Sequence, residues 1–313
     1  MDDRKRSAGP AAVLCLAGML ASACGAPPAD RQPGSGATAS AKASLEELKE
    51  TAVKNPSDAD AHFRLGVALL DAGSTKEAIQ ALAVSVKLDP ARTDTYLALG
   101  NAYLAQQDRR SAFLAFNEAV LNDPNNPSAL YNLGVLHYMG GRFHDATVFL
   151  EKARQNRPDD PAIIYRLGMA QLNDGNVEEA ARRLQQATEM DPNKAEAWVN
   201  LSSCLSTLQR FDKAREAAER GVKLAPDMAE AHNNLAIVAQ AQDRDEEALE
   251  HFQKAMAADP NNVRYHLNLG SLLEKMGRKQ EAIREYELFV RDWRGNMAAA
   301  EEANRRLEQL RKK

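Results

Sequence analysis

"TDTYLALGNAYLAQQDRRSAFLAFNEAVLNDPNN", residues 93–126, holds the pattern that decides the fold. Its apolar residues recur at i, i+3, i+4 and i+7 in two runs, "YLALGNAYLA" and "SAFLAFNEAVL", which is the spacing of helices buried along one side. A polar turn separates the runs. "NDP" closes the second, because a residue before proline is pushed out of the helical region. Outward from this stretch, the closing proline is one of a series at 56, 90, 124, 158, 192, 226 and 260, each 34 residues after the last. A fixed period of that size marks a repeat protein.

Registered on those prolines, the chain contains seven units without insertion or deletion: 59–92, 93–126, 127–160, 161–194, 195–228, 229–262 and 263–294. The seventh position is leucine in every unit, from Leu65 to Leu269. The eighth is always small (Gly66, Gly100, Gly134, Gly168, Ser202, Ala236, Gly270), and the twentieth is always alanine, from Ala78 to Ala282. Each unit therefore reads as two antiparallel helices. Helix A is expected over about the first fourteen positions and helix B over about the fifteenth to the twenty-eighth. The small eighth residue is expected to face the alanine where the axes approach most closely.

These landmarks resemble the tetratricopeptide repeat family. The second unit carries them all: Tyr96, Leu99, Gly100, Tyr103, Ala112, Phe116, Ala119 and Pro124. The likeness covers residues 59 to about 293. Departures are mild: Leu69, His137, Gln171 and Ala239 replace the usual tyrosine of the eleventh position, and Arg294 the final proline. The resemblance implies an all-α fold, a right-handed α-solenoid of helix-turn-helix units. Caps are expected at both ends, since an open repeat face would expose core. Residues 44–56, with "ASLEELKETAVK" at 43–54, read as the N-terminal cap, and 296–313, with "MAAAEEANRRLEQLR" at 297–311, as the C-terminal one.

The 313 residues carry 40 basic and 44 acidic side chains, a net charge of −4. That balance suits a soluble surface and argues against a nucleic-acid binder, which needs a basic stripe. Arg311, Lys312 and Lys313 read as cations at a helix C-terminus. Three cysteines, Cys15, Cys24 and Cys204, draw neither a disulfide framework nor a metal or redox motif. Cys204, at a position where other units carry Ala, Leu or Val, reads as a buried apolar thiol. His62, His232 and His266 share the fourth position with Trp198 and read as packing residues rather than metal ligands. No phosphate loop, nucleophile elbow or zinc-protease helix is present. A non-enzymatic protein without cofactor or metal is expected.

Such a solenoid offers instead a concave groove lined by helix A. The sixth positions read Arg64, Ala98, Asn132, Arg166, Asn200, Asn234 and Asn268. The four asparagines are similar in position to the asparagine ladder of O-linked N-acetylglucosamine transferases, which holds a peptide by its main chain; Arg64, Ala98 and Arg166 break the row. Asparagine is also common at this position in the family at large. Four amide bonds at about 1 kcal/mol net each give about 4 kcal/mol, roughly millimolar binding, so side chains must add the rest. Phe63, Tyr131 and Tyr165 at fifth positions, with Tyr138, are candidates. The same rings can equally pack neighbouring helices A. Arg64 and Arg166 suit acidic groups on a ligand.

Upstream, residues 1–23 read as a signal peptide: Arg4, Lys5 and Arg6 precede a thirteen-residue apolar run from Ala11 to Ala23, shorter than the ~20 residues of a spanning helix. "LASAC" at 20–24 resembles a bacterial lipobox, in which Cys24 is acylated and becomes the first residue. "ASA" at 21–23 also suits ordinary secretion. Residues 24–43 then form the lipidated cysteine and a flexible linker too poor in apolar groups to fold. A coil of that length spans about 22–26 Å. The expected function is a scaffold of the bacterial cell envelope, held by lipid at the periplasmic face of the outer membrane and binding a peptide or partner protein in the groove. A soluble periplasmic or secreted form, a pilotin-like assembly factor for an outer-membrane secretin, and a self-associating solenoid are the alternatives. Neither nucleic acid nor a small-molecule substrate is expected.

Overall fold

A computed structural model of the chain describes residues 39–312, with side chains from Ser44 onward. The expected signal segment, Cys15, Cys24 and the expected linker as far as residue 38 lie outside the described residues. The described chain is helical, without strands, and divides into two compact bodies.

The first body reaches to Gly175. It holds α1 (Ala39–Lys54), α2 (Ala59–Asp71), α3 (Thr75–Leu88), α4 (Thr93–Ala105), α5 (Arg109–Asn122), α6 (Pro127–Met139), α7 (Phe143–Asn156) and α8 (Pro161–Asn173). The second, from Asn176, holds α9 (Val177–Met190), α10 (Ala195–Thr207), α11 (Phe211–Leu224), α12 (Ala229–Ala241), α13 (Asp245–Ala258), α14 (Arg264–Lys275), α15 (Lys279–Asp292) and α16 (Met297–Lys312). Within each body every helix packs on the next in sequence. Helices A of successive units also touch: α2 with α4 and α6 with α8 in the first body, α10 with α12 and α12 with α14 in the second. Each body is thus a stack of hairpins, with the helices A gathered along one side.

Two boundaries differ from expectation. α1 begins at Ala39, so residues 39–43, expected in the linker, are helical; "ASAKA" contains neither glycine nor proline and three of its residues are alanine, the strongest helix former. Helix B runs over the seventeenth to thirtieth positions rather than the fifteenth to twenty-eighth, as α3 and α5 show. The reason is the turn. In each unit the fifteenth residue has positive φ: Gly73, Gly141, Gly175 and Gly277, but also Gln107, Gln209 and Asp243. This left-handed residue ends helix A in a Schellman motif; in the first unit Ser74 N donates to Leu69 O at 2.8 Å and Gly73 N to Leu70 O at 3.0 Å. Helix B ends at an extended residue before proline, such as Asp89 (φ −137°, ψ 87°). Helix A starts on side-chain caps where the sequence supplies them: Asp58, Asn126 and Asp160 each accept two backbone N–H groups.

All seven alanines of the twentieth position are fully buried. The small eighth residue meets the twentieth, as expected, through that alanine's carbonyl in the first unit, where a Cβ on Gly66 would lie 3.3 Å from Ala78 O, and it also faces a second residue. A Cβ on Gly66 would lie 2.5 Å from Leu82 Cγ, and one on Gly100 would overlap the Phe116 ring. In these units the eighth position is small also because the large twenty-fourth side chain of helix B lies across it; the fifth unit has Ala218 there. Leu82, Phe116, Leu150, Phe252 and Tyr286 are the resulting fully buried core, each worth about 1.5–3 kcal/mol of burial for an apolar chain of that size. Where the fifth unit has serine, Ser202 Oγ donates to Ala214 O at 2.8 Å.

At the C-terminal end, α16 sets Ala299, Ala303, Leu307 and Leu310 against Leu273, Tyr286 and Phe289. Arg306 on the same helix reaches Glu302 Oε1 at 2.7 Å and Glu274 Oε2 at 3.2 Å. The Tyr286 hydroxyl donates to the same Glu274 oxygen at 2.9 Å. At the N-terminal end, Leu45 of α1 packs on Leu69 and Ala81.

Candidate functional site

The side of each body where helices A meet carries the fifth and sixth positions, so the residues singled out in the sequence lie along it. In the first body, Arg64 is exposed and its Nε pairs with Asp60 Oδ2 at 2.6 Å; Arg92 Nη2 reaches the other oxygen of Asp60 at 2.9 Å. The Arg92 guanidinium also lies 4.1 Å from the centre of the Phe63 ring. Phe63 therefore sits beneath a cation, half-buried, and is not a free aromatic contact. Tyr131 is half-buried against Leu130, Leu150, Ile163 and Leu167. The Tyr138 hydroxyl accepts from Asn173 Nδ2 at 3.1 Å, and its ring meets Phe143 edge-on at 5.4 Å. These three rings mainly join neighbouring helices, the packing reading of the pair left open by the sequence. Tyr165, Arg166 and Asn132 remain half-exposed on α8 and α6, two helices that touch.

In the second body the asparagines differ from the free ladder expected. Asn200 Nδ2 donates to Glu196 O in its own helix at 2.7 Å. Asn234 Nδ2 donates to Val199 O of the preceding helix A at 2.9 Å. Asn268 Nδ2 donates to Asn233 Oδ1 at 2.9 Å, and Asn233 Nδ2 to Asn234 Oδ1 at 3.4 Å. These amides stitch α10, α12 and α14 to one another. Val199 and Asn233 stand at the fifth position, where the first body has the larger Phe63 and Tyr131, and the amides of Asn234 and Asn268 reach the preceding helix A. Asn233 was missed by sequence reasoning; its signal was a polar residue at a fifth position otherwise mostly apolar or aromatic.

The fourth position also does more than pack. Trp198 Nε1 donates to Pro192 O at 3.0 Å, and His232 Nε2 lies 2.8 Å from Pro226 O. His62 Nε2 makes the equivalent contact with Pro56 O at 3.2 Å. Tryptophan and histidine interchange here because both carry a ring N–H at the reach of the loop carbonyl.

Cys204 is fully buried, and burial pushes its thiol up to about 12. His137 is buried between Phe113 (5.6 Å, edge-on) and Phe149 (5.0 Å, stacked), and burial, followed by the charge of Arg142, holds it below the ordinary histidine value. Among the described residues no group of three or more His, Cys, Asp or Glu is arranged to hold a metal, and no described helix is long and apolar enough to cross a membrane. An open cavity of about 400 Å³ beside α1 is lined by Leu45, Leu65, Leu69 and Val84 together with His62 and Glu77.

Comparison with known proteins gives a consistent picture. The model for the C-terminal domain of cilia and flagella-associated protein 70 matches residues 7–237, more than half of the chain, and the tetratricopeptide repeat model matches residues 227–288. No curated protein matches the sequence significantly. Among solved structures, PilF of Pseudomonas aeruginosa is similar with a TM-score of 0.59 at 18% identity over 73% of this chain and 99% of that one. YrrB, described as a TPR protein with an unusual peptide-binding site, has a TM-score of 0.55 at 22% identity over 60% of this chain and 96% of its own. The Cut9–Hcn1 assembly gives 0.58 at 20% identity; the match spans 75% of this chain and under half, 46%, of that one. At these identities the likeness is one of fold.

Proposed function

Because the chain belongs to the tetratricopeptide repeat family, a family of protein-interaction scaffolds, we propose that it is a non-enzymatic scaffold that binds a peptide segment of a partner along the side lined by its helices A. The observation that carries this is the trio Asn132, Tyr165 and Arg166: half-exposed groups able to donate, accept, stack and carry charge, on helices that touch. YrrB, with a peptide-binding site on the same fold, supports the reading. The stitched asparagines of the second body shape its surface and leave recognition to carbonyl oxygens and neighbouring side chains. Changing Asn132, Tyr165 and Arg166 together to alanine is expected to abolish partner recovery from membrane extracts. A variant with Leu114, Glu118 and Lys152, exposed on helices B, changed to alanine is expected to keep it. Equal recovery by both overturns the assignment.

The same proposal places the protein in a bacterial envelope, anchored by acylation of Cys24. It rests on the basic and apolar segments ahead of that cysteine, and more than one acyl chain makes such an anchor stable at about 0.8 kcal/mol per buried CH₂. Intact mass of the purified protein tests it. A chain beginning at Cys24 with the added mass of acyl groups, lost in Cys24→Ser, supports anchoring; an unmodified mass contradicts it.

A further inference from the structure

The fourth position of a unit faces the twenty-third across the hairpin, and in two consecutive units that pair is titratable. In the seventh unit His266 Nδ1 lies 2.6 Å from Glu285 Oε2. In the sixth, His232 Nδ1 lies 3.0 Å from His251 Nδ1, with the two rings stacked at 5.2 Å and 23°. The first and fifth units have Ala81 and Ala217 there. The chemistry of the two titratable pairs is opposite. A carboxylate accepts from His266 Nδ1–H whether or not the ring is charged. A bond between two imidazole nitrogens needs one that is bare and one that carries hydrogen.

The Pro226 carbonyl, 2.8 Å from His232 Nε2, settles which is which. It holds His232 with its proton on Nε2, as the indole N–H of Trp198 is held at the same place. The bare Nδ1 of His232 then accepts from Nδ1–H of His251. A proton added to His232 Nδ1 sets two N–H groups against each other. One added to His251 Nε2 puts charge on a half-buried ring.

We propose that the His232–His251 pair is a proton-sensitive latch between α12 and α13, closed at neutral pH and opened by acid. α12 also carries Asn233 and Asn234, whose amides tie it to α14 and α10. Opening the latch therefore frees α12 and α13 first, and reaches α10 and α14 through these amides only to a smaller extent.

The surroundings favour this sign. Burial holds His251 below its ordinary value of 6.5, the facing His232 and then Lys254 add to the effect, and Glu250 and Glu247 partly oppose it. Glu250 is itself paired with Lys254, and Glu247 with Arg215 of α11 and Arg244. The charged groups of α14, also packed on α13, are engaged elsewhere: Arg264 over Trp293, His266 with Glu285, Glu274 with Arg306, and Lys275 with Asp243 and Asp245. A base whose folded value is depressed binds its proton more readily when unfolded. Its contribution is therefore complete above pH about 6.5 and is lost as the pH falls through the lower folded value.

Amide hydrogen exchange on the whole chain, corrected for intrinsic rates, at about pH 7.5 and about pH 5.5 reads the latch directly. Peptides of α12 and α13 are expected to lose protection several-fold on acidification, and those of α14 and α15 much less. His251→Glu, which rebuilds the seventh-unit pair in the sixth, is expected to abolish the acid response. His251→Ala, which reproduces the first and fifth units, is expected to lower protection at both pH values and to remove its pH dependence. His137, the other described histidine held low by burial, lies in the first body and does not enter this readout. An acid response of α12 and α13 that is the same in His251→Glu, or none in the unaltered protein, overturns the proposal.

Discussion

Gln107, Gln209 and Asp243 occupy the left-handed residue that ends helix A, a position the other four units give to glycine. For a residue with a Cβ this conformation costs about 1–2 kcal/mol, and glycine removes that cost while losing some chain entropy. Gln209→Gly is expected to stabilise the protein by about 0.5–1 kcal/mol, read from the urea midpoint. Gly100 gives the opposite result. Valine there would drive its side chain into the fully buried Phe116 ring, and a loss of about 1–3 kcal/mol is expected in the same measurement. Cys204, buried and with its thiol pushed up to about 12, is expected to resist alkylation at neutral pH until the protein unfolds, as peptide mass spectrometry can show. At this scale the sequence was a good guide to which positions must be small and a poor one to why. Periodicity exposes the glycine at the eighth position and the alanine it approaches, but only packing shows that the Phe116 ring also lies against Gly100. In the same way, His62, Trp198 and His232 were legible as equivalent residues, while the loop carbonyl that makes them equivalent was not.

Helices were legible wherever an apolar stripe ran between a cap and a proline. The shift of helix B by two residues came from the left-handed turn, which Gln107 and Gln209 conceal because they lack the glycine signal. The asparagines of the second body differ from the expected ladder for a related reason. A side chain on the exposed part of one helix reads as available, yet the neighbouring helix A lies close enough for Asn234 to bond Val199 O and Asn268 to bond Asn233. Contacts of that kind join residues about a full unit apart and leave no local pattern. α16 shows the opposite case, a helix whose role follows directly from its stripe. Leu307, 5% exposed, packs in the cluster of Tyr286 and Phe289. Leu307→Ala is expected to cost about 2–5 kcal/mol and to lower the thermal midpoint, with α14 and α15 losing amide protection first.

Across the whole chain, the 34-residue period disclosed the family and the hairpin order, because each unit contacts mainly its sequence neighbours and so repeats its constraints. Recognition is less legible, since it depends on which inner side chains the fold has already used. Arg64 is tied to Asp60, Phe63 lies under Arg92, and Tyr138 is held by Asn173, so the proposed contact surface of the first body centres on Asn132 and Arg166, with the half-exposed Tyr165 beside them. Site-specific photocrosslinking in cells tests that surface most directly. A photoreactive residue is placed in turn at Asn132 and Arg166 on the helices A, and at Glu118 and Lys152 on the exposed faces of α5 and α7. One and the same partner crosslinked from both helix A positions and from neither helix B position is the predicted result. A partner captured equally from the helix B positions, or only from them, would contradict binding along the side lined by helices A.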